Sequence, residues 1–199
     1  MKSEKSQNLR ILVECAIMVA LATVLSILPI WSAPLGGSVT LFSMVPIILI
    51  SYLHGCKWGL ATGFVHSVIQ LILGFSNVMY VPTAIGVVLC IGMDYIIPFT
   101  LIGLAGIFKN TTRNDFVNVI LGSFTVCLIR YASHVIVGGA VWYELTKAGD
   151  WNEYVHTVGM WTYSFVYNAQ FMVPETVLVL VAAPVVVGML KLLTRKKAR

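Results

Sequence analysis

A chain of 199 residues that is 58% hydrophobic and only 11% charged, with a mean hydropathy of +0.89, falls outside the ordinary soluble class, where charged residues make up about a quarter. Its net charge of +5 does not mark a nucleic-acid binder, because the basic residues other than Arg130 sit at the ends of apolar runs or in the turns and loops between them and form no binding face. At roughly 20 residues per membrane span, the length predicts six helices in one membrane domain, 1–199, with no soluble domain, so any ATPase is expected on separate chains.

The first apolar run predicts a helix at about 9–30. It is longer than a signal-peptide core and lacks a small-residue cleavage site, which reads as a retained helix. Ala16 and Ala20, with Ala22 behind them, form a small-residue seam that lets another helix approach closely. An outward loop at 31–38 carries Trp31, Gly36 and Gly37. Helix 2 follows at 39–53, short for a full span, and helix 3 at 57–75. The next outward loop, 76–82, contains Tyr80, which joins Trp31, Gly36 and Gly37 as a position able to cover a pocket. Helix 4 is expected at 83–108, helix 5 at 115–143 and helix 6 at 160–193, with a third outward loop at 144–159.

Charge placement orients this layout. Lys2, Lys5 and Arg10 precede the first run, Lys191, Arg195, Lys196, Lys197 and Arg199 follow the last, and Lys57, Lys109 and Arg113 occupy two short turns. The 144–159 loop instead sets Glu144, Asp150 and Glu153 against Lys147. The positive-inside rule puts both termini in the cytoplasm and the acidic loop outside. Cys15, Cys56, Cys90 and Cys127 contain no CxxC pair and read as small core hydrophobes, so neither a metal nor a cofactor is expected.

Helix 5 contains the most informative stripe: Arg130, His134, Gly138 and Trp142, each four residues from the last and so nearly stacked on one face. Ionisable groups in hydrocarbon are costly enough to face a protein interior or a wet cavity. Asp94 stands alone as the acid of helix 4, beside Tyr95. It needs a positive or hydrogen-donating partner, and an ion pair with Arg130 is one way to supply it. At about 1.5 Å of rise per residue, Asp94 lies roughly 16 Å below the outer end of its helix, level with His134 and with Asn168 of helix 6. That shared level predicts a pocket open to the outside. Gly138 lets a flat ring approach, and an indole with a carboxylate suits a flat cationic ligand. On helix 6, Tyr163, Tyr167 and Gln170 share a stripe, with Asn168 about 140° away from Tyr163; Pro174 is a tolerated kink site. Glu14 and Glu175 read as structural. Gly122-Ser123 with His134 superficially fits an intramembrane protease but lacks the Gly-x-Ser-Gly context.

Taken together, Glu14-Cys-Ala16-Ile-Met-Val-Ala20, Pro34-Leu-Gly-Gly-Ser-Val, Asp94-Tyr95, the Arg130–Trp142 stripe and Tyr163-Ser-Phe-Val-Tyr-Asn168 resemble the thiamine-specific substrate-binding (S) components of energy-coupling factor vitamin transporters. The resemblance implies an all-α six-helix membrane bundle in a prokaryotic cell membrane. Such a bundle binds thiamine, or its phosphates, from outside and docks through Ala16 and Ala20 on a transmembrane coupling subunit with two ATPase subunits, which use the ATP. It further implies Asp94 on the aminopyrimidine, Trp142 stacked on a ring, and Tyr163 and Asn168 as hydrogen-bonding groups. His134, Tyr95 and Arg130 would lie near the thiazolium and hydroxyethyl end. Here the acid on helix 4 is Asp, where such proteins can carry Glu, and Gly36 and Gly37 occupy a neighbourhood where some place a Trp. The same architecture serving another vitamin is the alternative.

Overall fold

In the computed structural model, residues 2–33 and 36–197 are described; Pro34 and Leu35 of the first-loop motif and Arg199 of the basic tail lie outside them. Among the described residues, five helices are long and apolar enough to cross a membrane. Helix α1 (Lys2–Ile27) buries Ile11, Cys15, Val19 and Ala22 along one stripe and turns Leu12, Val13, Ile17, Leu21 and Val24 outward. The inner stripe includes Ala22, which therefore leaves the seam; Ala16 and Ala20 are exposed on the other face.

The expected 31–38 loop is an antiparallel hairpin, β1 (Pro29–Ser32) with β2 (Ser38–Thr40), in register Trp31 opposite Val39. Its connection needs glycine, since Gly36 and Gly37 take φ of +97° and +89°. Strand β2 and a left-handed Phe42 (φ 60°) delay the next helix, so α2 is Val45–His54 and not 39–53, starting with Pro46 in its first turn. At about 15 Å, α2 is too short to meet lipid along a full span. Protein surrounds it instead: Ile47, Ile48, Leu49, Ile50, Ser51 and Tyr52 are all buried. Apolar residues on every side of a helix are the signature of this central position.

Helix α3 is Cys56–Leu73 and α4 is Ala84–Phe108, with Thr83 Oγ1 accepting from Gly86 N–H at 3.2 Å to cap the latter. Where α3 meets α4, Gly59 and Gly103 approach so closely that a Cβ on either would strike backbone. The Ser51 hydroxyl from α2 ties this contact, donating to Gly103 O at 2.5 Å and accepting from Gly106 N–H at 2.9 Å. Small residues permitting such approach are how membrane helices pack when lipid and protein are equally apolar.

Helix α5 (Asp115–Ala148) runs beyond its expected end at 143 and takes the first part of the supposed outer loop with it. Helix 6 is the reverse case: α6 (Met160–Val181) and α7 (Ala183–Lys197) divide the expected 160–193 segment at Ala182. Pro184 explains the break, since it donates no N–H to the preceding turn and its ring crowds the carbonyl four residues back. Pro174, inside α6, does not end the helix.

Candidate functional site

Two helices change their winding at the same place in the bundle. In α4, Ile91–Ile96 form a π-helical segment; in α5, Gly138–Trp142 form another. Such wide turns insert a residue into the helical repeat and recur at functional sites because they re-aim side chains. The first carries Asp94 and Tyr95, the second Gly138 and Trp142. Ser133 of α5 steadies the first, donating to Met93 O at 2.6 Å.

Between these turns, α6 and the hairpin lies a cavity of about 410 Å³. Its centre is Asp94: Oδ1 lies 2.9 Å from His134 Nδ1, and Oδ2 accepts from Trp142 Nε1 at 2.7 Å. The three residues form one polar cluster fixed by its edges, so the indole and the imidazole are oriented before any ligand arrives. His134 Nε2 is buried, without a hydrogen-bond partner among the described residues. The bond between His134 and Asp94 joins two positions that the resemblance assigned to opposite ends of a ligand.

Helix α6 forms the facing wall. Ser164 Oγ donates to Val135 O at 2.7 Å, and Asn168 Nδ2 donates to Ser164 O at 2.8 Å and His134 O at 3.3 Å. A Cβ at Gly138 would collide with both Ser164 and Asn168, so glycine there serves the α5–α6 contact as well as the cavity. Tyr163 stacks on Tyr167 with centroids 5.8 Å apart. Tyr167 Oη in turn donates to Gly36 O at 3.0 Å, and the Phe171 ring occupies the space where Gly37 would carry a side chain.

All eight expected binding residues, Asp94, Tyr95, Arg130, His134, Gly138, Trp142, Tyr163 and Asn168, line this one cavity, together with Gly36 and Gly37. Trp31 and Tyr80 do not: Trp31 stands half exposed on β1, and Tyr80 packs edge-on against Trp151, with centroids 5.9 Å apart. Gln170 is exposed and does not join Tyr163 and Tyr167 in lining the cavity. The proposed Arg130–Asp94 ion pair is not formed. Asp94 is occupied by His134 and Trp142, whereas Arg130 Nη1 lies 4.0 Å from Glu175 Oε1 and 3.2 Å from Met44 Sδ.

Sequence reasoning missed the α3 side of the cavity. Gln70 Nε2 donates to Ser26 Oγ at 2.6 Å, joining α1 to α3 at the rim, and Tyr95 Oη donates to Gly74 O at 2.9 Å beside Asn77. Gln70 is a polar group in an apolar span, so the cost argument that singled out Asp94 applied to it too. Glu14, left without a partner by the sequence, binds His54 Nε2 at 2.6 Å and Arg10 Nε at 3.0 Å.

Residues 12–196 match the family model described as thiamine transporter protein. The thiamine transporter ThiT of Bacillus subtilis is 33% identical over 185 residues, covering 87% of this chain and 88% of that protein. A ThiT structure from Listeria monocytogenes superposes with a TM-score of 0.68 over 93% of this chain and 95% of that one, at 23% identity, which supports the fold. With the family model spanning nearly the whole chain, the protein belongs to the thiamine transporter family.

Proposed function

We propose that this protein binds thiamine in the 410 Å³ cavity and hands it to separate coupling and ATPase subunits, as an S component and not as an enzyme. The observation that carries the reading is the Asp94 cluster: a carboxylate held by one imidazole and one indole N–H on the wall of a cavity, in a chain of the thiamine transporter family. Thiamine offers what such a site recognises. Its aminopyrimidine supplies N–H donors for Asp94, and its two flat rings, one cationic, suit the Trp142 face and the tyrosines of α6. Asn168 and Tyr163 hold the ring edges. Arg130, whose side chain lines the same cavity, meets the hydroxyethyl tail or a phosphate ester there.

The exposed Ala16 and Ala20 on α1 supply the close-approach face for the coupling subunit, in the cell membrane of a prokaryote. Protease chemistry has no geometric support: Ser123 and His134 lie eleven residues apart on one helix, about 16 Å along its axis.

Titration of the purified protein with thiamine, followed by intrinsic fluorescence, tests the reading. Saturable binding at or below micromolar concentration is expected, and its absence overturns the proposal. A thermal-shift panel of other vitamins separates the rival ligand: stabilisation by one of those and not by thiamine reassigns the cavity.

A further inference from the structure

Glu175 is a carboxylate in α6 that is only 1% exposed and does not line the cavity. Its oxygens go to the root of the hairpin. Oε2 accepts the Thr40 N–H at 2.7 Å and Oε1 the Thr40 hydroxyl at 2.8 Å, while Ser43 Oγ closes the group 2.6 Å from Thr40 Oγ1. Two residues on, Phe42 takes a φ of 60°, a conformation a bulky residue keeps only where its surroundings enforce it. The anchor thus grips the chain where β2 ends and the strained turn into α2 begins. At the other end of the same hairpin, Gly36 and Gly37 form part of the cavity wall.

The countercharge comes from the cavity itself. Arg130 Nη1 lies 4.0 Å from Glu175 Oε1, beyond hydrogen-bond range, so the attraction is through space. The guanidinium is otherwise held by soft groups, Met44 Sδ at 3.2 Å and the Phe99 ring at 4.5 Å, and among the described residues its Nε has no hydrogen-bond partner. A buried carboxylate is tolerated only when compensated, and the cation that compensates this one also faces the ligand space.

We infer that Glu175 is a positioning residue for ligand retention: it pins the root of the 29–40 hairpin over the cavity, and its charge partner Arg130 couples that anchor to the occupant. The inference rests on the thiamine-binding reading for the identity of the occupant. An acceptor oxygen on the ligand at the Arg130 guanidinium, which lines the cavity, fixes the cation that holds the anchor, so occupancy and a seated hairpin favour each other, and the coupling runs both ways.

Glu175→Gln keeps the side-chain size and one acceptor for Thr40 but removes the charge. Stopped-flow release of thiamine is expected to accelerate about tenfold, with the association rate little changed, as for most contacts that act after encounter. Hydrogen exchange is expected to rise at Thr40 and along 36–40 but not at Ile47–Ile50 of α2. Thr40→Val, which spares the charge pair, is expected to give about a threefold faster release, and it carries the test if Glu175→Gln does not fold. Unchanged release with unchanged hairpin exchange overturns the inference, as does a rise in exchange spread evenly over the molecule. If the wild-type protein does not bind thiamine, the proposed function fails instead, and exchange at Thr40 in the ligand-free wild type and Glu175→Gln still decides whether the anchor exists.

Discussion

Asp94 and Glu175 are both carboxylates inside apolar spans, yet the bundle treats them in opposite ways. The Asp94 side chain is 16% exposed at a cavity, and its partners, His134 and Trp142, line the same wall. Glu175 is sealed at 1% exposure, and its nearest donors are the backbone and hydroxyl of Thr40. The cost of burying a carboxylate is met in one case by groups that a ligand can also use, and in the other by groups that belong to the chain's own covering segment. On the proposed reading, the open carboxylate is expected to set affinity and the closed one the rate of release.

That division makes quantitative predictions. The largest effect on equilibrium binding is expected from Asp94→Asn, about 2 to 3 kcal/mol in thiamine affinity, the range for losing hydrogen bonds to a charged group. Isothermal titration measures it directly, and a loss smaller than that from Glu175→Gln would break the comparison. Trp142→Ala comes next, at about 1 to 2 kcal/mol for a cation over an indole that no longer stacks. If fluorescence titration finds its affinity unchanged, Trp142 only orients Asp94. Glu175→Gln should cost about 1.4 kcal/mol, the equivalent of a tenfold faster release at constant association. Gln70→Ala removes one rim hydrogen bond, to Ser26, and should cost about 0.5 to 1 kcal/mol; a larger loss by the same titration would make α3 a principal wall. Ala16→Trp should leave binding unchanged and stop uptake in vesicles carrying the complete transporter, so loss of binding would show that α1 supports the cavity and is no docking face.

The two acids also show what a one-dimensional reading reaches. Asp94 was visible because it is the lone acid of its span, and its level matched His134 and Asn168 by rise per residue alone. Its partner was not visible. Spacing along ideal helices leaves Arg130 and His134 equally available, and the π turns at Ile91–Ile96 and Gly138–Trp142 settle the choice by rotating Asp94 and Trp142 relative to the regular stripe. Glu175 was harder still, because its ligand is the backbone N–H of Thr40, 135 residues away, and backbone donors carry no residue signature. The start of α2 was missed for a related reason: Val39 and Thr40 continue an apolar run, but strand pairing with Pro29 and Trp31 takes them out of the helix. The break before α7 is legible in Pro184, whose missing N–H and ring outweigh the apolar run around it.

By itself the sequence determined that the chain lives in a membrane, in what order its apolar helices follow, and which ionisable groups are too costly to face lipid. Those properties follow from composition, period and charge placement, which are local or additive along the chain. Only the tertiary structure decided which of those groups meet. Pairing depends on helix rotation, on the two π turns and on a hairpin laid across the cavity, and each of these is set by packing between segments far apart in the chain. That is why His134 came to hold Asp94, why Arg130 went to Glu175, and why a glycine pair reached the cavity while Trp31, on the same hairpin, did not.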